Sequence, residues 1–320
     1  MGLTNLDILA SNVIGVPGTS FGNSFFVDYR KGSDDDDGTR ESPVKTLSEA
    51  YSRAVSNNND AIFIDGDSTV QETAMIDWSK NRIHVFGENG PLPIYGQGAG
   101  AKVAMGVTTE ATDIATVQVT GVRNTFNGVK FMNNNTLATC LFAHVEAGEY
   151  NRYNACEFYK STLLTTDLTA DVLMNGDSSS FSFSTFGTLD DERGASGKER
   201  PCVLLDKGGV AGKVTRDGIF YNCRFLQKAA HVDVCFVYGK NADDVERSLL
   251  FVNPIFWNSV LATATVADAV NFANAQTVGE VLMINPAGMN ITAVAGANLN
   301  IYVQNQPDGT TAGVAQEIAA

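Results

Sequence analysis

Positive charge is scarce in this chain. Lysine and arginine number 22 against 36 aspartates and glutamates, for a formal net charge of −14 over 320 residues. An acidic surface repels phosphates and anionic headgroups, so nucleic acid and membrane surfaces are not expected partners. Long apolar runs are missing as well: no stretch approaches the roughly 20 residues that span a bilayer. The opening residues, Met1 to Asp7, lack the basic start and apolar run of a secretory signal, so folding in a cytoplasm is expected. Cysteine is sparse and odd in number: Cys140, Cys156, Cys202, Cys223 and Cys235. They form no C-x-x-C pair beside histidines, which excludes a zinc-site spacing. They read as reduced thiols filling small core spaces. Helical periodicity of any length is also rare.

Turns and short strands make up the rest. Apolar residues form 44% of the chain and glycine contributes 30 residues, enough for a packed core with many corners. Residues 1–24 are small and polar and read as an N-terminal arm. Phe25 to Asp28 is a short strand running into the turn Lys31–Thr39. Leu47, Ala50, Tyr51, Ala54 and Val55 then share one helical face, and Thr46 with Glu49 fits a capping box. A helix near 46–56 follows, stopped by the turn-prone Asn57–Asp60.

Beyond the helix the pattern becomes repetitive. Ile62-Phe63-Ile64-Asp65-Gly66 and Ile83-His84-Val85-Phe86-Gly87 lie 21 residues apart, and Val117-Gln118-Val119-Thr120-Gly121 has the same form. Each is an apolar-x-apolar strand that buries one face and ends at a corner. A second unit ends in phenylalanine: Gly128 to Phe131, Ala155 to Phe158, Asn222 to Phe225 and Asn253 to Phe256, with a looser copy at Ser184-Thr185-Phe186. Its spacing of 27 to 31 residues is that of a solenoid, whose turns bury their faces only against their neighbours. Alignment predicts an interior column of Val129, Cys156 and Cys223 beside a stack of Phe131, Phe158 and Phe225. Lys130, Glu157 and Arg224 between them face out. The Asn-rich corners and the alternation exclude helical repeats, and the units are too short for propeller blades.

A polar loop is expected over Asp190–Pro201, and a smaller one over Asp243–Arg247. From residue 260 alanine, threonine and valine dominate. Val266–Phe272 reads as a short helix, and strands are expected at Val281–Ile284, Ile291–Val294 and Leu299–Val303. Residues 260–320 thus read as a small C-terminal β module for anchoring or oligomerisation, after a solenoid over 25–259.

The segment from Phe26-Val27-Asp28 through Gly32-Ser33-Asp34 and Gly38-Thr39 to Ser42-Pro43-Val44-Lys45-Thr46-Leu47-Ser48-Glu49-Ala50 resembles the opening of pectin-lyase-like β-helix proteins. The resemblance implies an all-β, right-handed parallel β-helix whose open end is closed by a capping helix. An uncapped end would expose unpaired backbone and apolar interior. That superfamily includes polysaccharide lyases and hydrolases, phage tailspikes and other virion proteins, so the fold does not decide the function.

The chemistry is thin. A hydrolase of this fold needs two or three carboxylates on one outer sheet, whereas Lys130, Glu157 and Arg224 give alternating charge suited to cross-rung pairing. Asp34 to Asp37 is the densest acidic run, but it lacks the spacing of a calcium loop and reads as a solvated turn. His84, His144 and His231 are scattered, and His84, set between two inward apolar residues, is expected to point outward. Gly96 to Gly100 lacks the Lys-Ser/Thr of a phosphate loop. Tyr159 and Trp257, each following the repeated phenylalanine, should face outward and could line a glycan groove. No catalytic, cofactor-binding or metal residue is assigned, and no cofactor is expected. The expected role is a non-enzymatic structural protein of a bacteriophage virion, assembled in the host cytoplasm as a capsid decoration or tail-associated protein. Its expected partners are other virion proteins, two further copies in a homotrimer, and a host surface glycan. A tailspike-like polysaccharide lyase or hydrolase, or a glycan-binding protein, is the rival reading.

Overall fold

The computed structural model describes residues 22–66, 69–88, 101–106, 110–164, 166–194, 200–208, 213–295 and 300–304. From Ala61 onward the polypeptide winds through three parallel sheets in rotation. Sheet A has ten strands, from Ser24–Val27 to Ile301–Gln304. Sheet B has eight, from Thr69–Glu72 to Ala287–Met289, and sheet C has eight, from Ile76–Trp78 to Ile291–Ala295. One coil illustrates the rest: Thr125–Asn127 lies in sheet A, Lys130–Asn133 in B and Phe142–Glu146 in C, and Arg152–Asn154 returns to A. This is a right-handed parallel β-helix.

The phenylalanine repeat is a physical stack. Phe131, Phe158, Phe186, Phe225 and Phe256 occupy one register on sheet B with ring centroids 5.0–5.5 Å apart. A second column on sheet A, Phe126, Tyr153, Phe181, Phe220 and Phe251, meets it edge-on. Each ring removes large apolar area from water, and each stacked pair adds about 0.5–1.5 kcal/mol. Val129, Cys156 and Cys223 are buried as expected, with Ser184 at the equivalent place on the coil between. Burial pushes the thiols of Cys156 and Cys223 up to about 12, so they are inert fillers.

The corner between sheets A and B turns on one residue of positive φ. Gly128, Ala155, Phe183, Asn222, Asn253 and Asn285 hold that place, with φ between 50° and 66°. Asparagine tolerates this region better than most residues. The side chains also form a ladder: Asn253 Nδ2 donates to Asn222 Oδ1 at 2.8 Å, and Asn285 Nδ2 to Asn253 Oδ1 at 3.0 Å. Asn222→Ala is expected to cost about 1–2 kcal/mol, and Asn222→Gly less, because glycine loses only the ladder bond. Thermal unfolding of the two variants checks the order.

The capping helix α1 spans Leu47–Arg53 and lays Leu47, Ala50 and Tyr51 over the open end, with Tyr51 stacked on Trp78 at 4.2 Å. The capping box is half formed. Thr46 accepts from Glu49 N at 3.1 Å, but Glu49 turns to Arg53 at 2.7 Å because Asp34 Oδ1 already takes Thr46 N–H at 2.9 Å.

Four expectations change. Strands Ala61–Ile64 and His84–Gly87 pair Ala61 with His84 and Ile62 with Val85, two residues off the offset read from the sequence. A slip of two preserves which face is buried, so alternation alone cannot detect it. Val117–Val119, read as a third copy of that unit, belongs to sheet C. The loop expected from Asp190 is strand up to Arg193, since Thr185–Arg193 bulges between Gly187 and Glu192 and then pairs again with Lys228 and Ala229. Val266–Phe272 is a strand of sheet C, not a helix. Ala269 and Val270 are both buried there, and this irregularity mimics helical spacing. The strands after residue 260 extend sheets A, B and C, so no break in sheet membership marks the expected module boundary. The N-terminal arm up to residue 21 and the Gly96–Gly100 segment lie outside the described residues.

Candidate functional site

On sheet B the outward ladder reads Lys102, Lys130, Glu157, Thr185 and Arg224. Lys130 Nζ lies 3.2 Å from Glu157 Oε2. Burial raises the Glu157 carboxyl, and the charges of Lys130, Arg224 and Lys102 oppose that rise. The alternation expected from sequence is only partly present: Lys130 pairs with Glu157 across one rung, Lys102 repeats the positive charge below it, and Thr185 stands between Glu157 and Arg224. A carboxylate in this setting stabilises the ladder and has no second carboxylate beside it on that column.

Acidic residues do gather at the turns between sheets C and A, where several pair with a base and Asp243 and Asp244 are held by Thr277, Asn241 and the Lys207 backbone. Lys213 reaches Glu149 at 3.1 Å, while Arg216 reaches Asp177 at 3.5 Å and also pairs with Glu246. Asp34 fastens the cap: its Oδ1 accepts from Lys45 N and Thr46 N, both at 2.9 Å. Among the described residues, no group of three or more His, Cys, Asp or Glu side chains is placed to hold a metal ion.

The three histidines are kept apart. His231 sits at the surface beside Asp233. His84 lies on the outer face of sheet A as expected, yet it is buried, beside the stacked rings of Phe26, Phe63 and Phe86. His144 lies inside the solenoid. Its Nε2 meets Tyr153 OH at 2.9 Å, and that hydroxyl donates to Glu146 Oε2. Glu146 Oε1 accepts from Gly148 N and Asn151 Nδ2 at 3.0 Å and from Ser179 Oγ at 2.9 Å. Burial raises the Glu146 carboxyl and lowers His144 to about 3. All three groups are closed off from solvent, so this is a core network and not a reactive centre.

The outer face of sheet C is apolar and covered. Val145, Leu173, Leu204 and Tyr238 line up in register, and Met75, Ile114, Leu141 and Leu168 pack over them.

Sheet A changes character along its length. Its outward positions are polar on three successive strands: Thr125 and Asn127, Arg152 and Asn154, Ser180 and Ser182. They then turn apolar: Ile219 and Tyr221, Leu250 and Val252, Leu282 and Ile284, ending in Tyr302. Ile219, Tyr221 and Tyr302 are 40%, 41% and 54% exposed. Sheet B follows suit around the corner, where Leu226, Trp257 and Met289 share one outward column. Tyr159 and Trp257 both face outward as expected. Tyr159 sits two coils before Leu226 with Gly187 between them, so the two aromatics do not form one groove. The sequence does carry a signal for the apolar face. Gly218–Tyr221, Ser248–Val252 and Glu280–Ile284 hold consecutive apolar residues where a half-buried strand would alternate.

A cavity of about 390 Å³ lies at the capped end. Phe26 and Phe63 form part of its floor, and Asp28, Asp36, Asp65 and Glu88 are among its walls. Arg40 already occupies part of this space, 4.6 Å above the Phe26 ring and paired with Glu88.

Solved structures with this architecture include pectate lyase Pel9A, with a TM-score of 0.60 at 14% identity over 93% of this chain and 74% of that one. Pectin methylesterase from Aspergillus niger gives 0.59 at 14% identity over 94% and 91%, and a rhamnogalacturonan lyase gives 0.57 at 13% over 89% and 73%. No family model and no curated protein sequence matches the chain. At such identity the likeness is one of fold, the right-handed parallel β-helix that these structures share with this chain.

Proposed function

We propose that this chain is a structural protein of a bacteriophage virion, carried on the particle surface as a capsid decoration or tail-associated protein and acting by assembly. The observation that carries this reading is the switch on sheet A from polar to apolar outward positions after Ser182. Contiguous exposed apolar surface marks a face made to be covered by protein. The cap segment, which resembles the opening of a superfamily that includes phage tailspikes and other virion proteins beside polysaccharide-acting enzymes, is compatible with that setting. Mass spectrometry of purified particles is expected to find the chain in fixed stoichiometry to the major capsid or tail protein. Its absence from intact particles overturns the proposal.

A polysaccharide-directed role is the second reading, favoured by the fold of the pectin-acting neighbours and by the aromatic, acid-walled cavity at the capped end. Incubation with polygalacturonate, pectin and host surface glycan separates the two. The assembly reading expects neither unsaturated ends nor new reducing ends. Turnover of any of these would establish the enzyme.

A further inference from the structure

The cavity at the capped end lies over two in-register columns on the outer face of sheet A. Phe26, Phe63 and Phe86 share one register on its first three strands, with ring centroids 5.1 and 5.3 Å apart. Asp28, Asp65 and Glu88 follow two residues later, and the parallel backbone bonds continue to them. Asp65 N donates to Val27 O at 3.0 Å and Glu88 N to Ile64 O at 2.8 Å. A spacing of two puts rings and carboxylates on the same face. Like charges stacked on neighbouring strands weaken a sheet, so such a column calls for cations. The chain supplies them from one loop. Arg30 lies 3.6 Å from Asp65 and Lys31 4.0 Å from Asp28, while Arg40 forks onto Glu88 with Nη1 3.3 Å from Oε2 and Nη2 2.5 Å from Oε1. Asp36 and Glu41 leave the wall acidic even so: five carboxylates line the cavity against Lys31 and Arg40.

Arg40 shows what this cavity accepts. Its guanidinium sits 4.6 Å from the centroid of the Phe26 ring while it holds Glu88. A planar guanidinium suits a ring face and a carboxylate fork at once, where an ammonium is only a point charge. Arg40 fills only part of a space of about 390 Å³, and its side chain is 51% exposed. The loop that carries it is fastened on both sides. Phe26 N donates to Gly38 O at 2.8 Å, Gly38 N to Ser42 O at 2.9 Å, and Arg53 Nη2 to Asp34 O at 2.7 Å. The Arg40 side chain can therefore swing out while the walls stay in place. Among the described residues no three acidic, His or Cys side chains are placed to hold a metal ion, so the acid excess suits a larger organic cation. The same excess repels a uronate. The geometry points to a binding site for an arginine side chain of a partner protein in the particle, with Arg40 as the chain's own stand-in. This inference rests on the assembly reading for the source of the arginine, whereas the chemistry of the site is independent of it.

The test titrates acetyl-arginine-amide into the full chain by calorimetry. Acetyl-citrulline-amide, of the same shape but uncharged, and trigalacturonate are the comparison probes. Wild type is expected to bind the arginine probe and neither of the others. Arg40→Ala, which removes the internal competitor, is expected to bind it about tenfold more tightly with an unchanged circular dichroism spectrum. Adding Glu88→Gln is expected to weaken binding about tenfold again, because the charge-assisted fork is lost. No binding of the arginine probe, equal affinity for the citrulline probe, no gain in Arg40→Ala, or tighter binding of trigalacturonate overturns the site. For the source, p-benzoylphenylalanine in place of Ser42, on the cavity wall, is expected to cross-link in purified particles to an arginine-containing peptide of another virion protein. Particles that hold the chain but give no such cross-link overturn the partner and leave a free guanidinium compound as the ligand. Absence of the chain from particles overturns the assembly reading, and with it the partner, while the titration still decides the site.

Discussion

Glu146→Ala is expected to cost about 3–5 kcal/mol of folding stability, because it strips partners from Tyr153, Asn151 and Ser179 inside the solenoid. Chemical denaturation of the two proteins measures it. Glu146→Gln separates the charge from the hydrogen bonds. The amide oxygen can keep the three donors on Oε1, and the amide NH₂ can donate to Tyr153, whose hydroxyl then donates to His144. Burial raises the Glu146 carboxyl, so the fold favours its protonated form. That contribution is complete below the ordinary carboxylate range and is lost as pH rises through the raised value. His144 has the opposite sign. With its imidazole lowered to about 3, its contribution is complete above the ordinary histidine value and is lost as pH falls toward about 3. The unfolded chain then binds a proton that the folded chain refuses, a loss of at most about 5 kcal/mol. Glu146→Gln removes the first limb alone. It is expected to be more stable than wild type at alkaline pH and to lose stability more steeply between about pH 6.5 and 4. Parallel pH profiles for wild type and variant would refute the network.

Arg193→Met should rival that loss. Arg193 Nη2 donates to Asp171 Oδ1 at 2.8 Å and Nη1 to Pro201 O at 2.7 Å, and the pair is almost wholly buried. Removing the guanidinium strands a carboxylate whose pKa burial already raises. Breaking such a pair costs about 3–5 kcal/mol. Asp171→Asn keeps an acceptor for Lys160 N, now 2.9 Å from Oδ1, and carries no charge. The double variant Arg193→Met/Asp171→Asn should therefore recover more than half of the loss, measured as a double-mutant cycle in denaturant. No recovery would mean that Arg193 acts through packing and not through charge.

These two sites show where sequence reading reached its limit. Asp190 to Pro201 is polar and turn-rich, and a chain of that composition belongs on a surface. That composition predicts a loop, yet Arg193 is buried because Asp171, from a strand of sheet C, reaches the ends of the sheet B strands and pairs with it. His144 and Glu146 sit in Phe142–Glu146 at alternate positions that could face either way. Which way they face depends on Tyr153, which arrives from the next strand of sheet A.

The sequence by itself determined what depends on neighbours along the chain or on an exact repeat. It determined the Phe131 to Phe256 stack, the corners at Asn222 and Asn253, the cap helix led by Thr46, and the pairing of Lys130 with Glu157 on the outer face. Each needs only a residue type at a fixed spacing, and the parallel coil turns equal spacing into contact. Tertiary structure decided the register of the first coils, since a slip of two leaves the same face buried. It also decided that Val266–Phe272 extends sheet C, that sheet C's outer face is closed over, and that the apolar ladder from Ile219 to Tyr302 is left open. In those places the environment of a residue is set by strands about a full coil away, and composition does not record which of them will be covered.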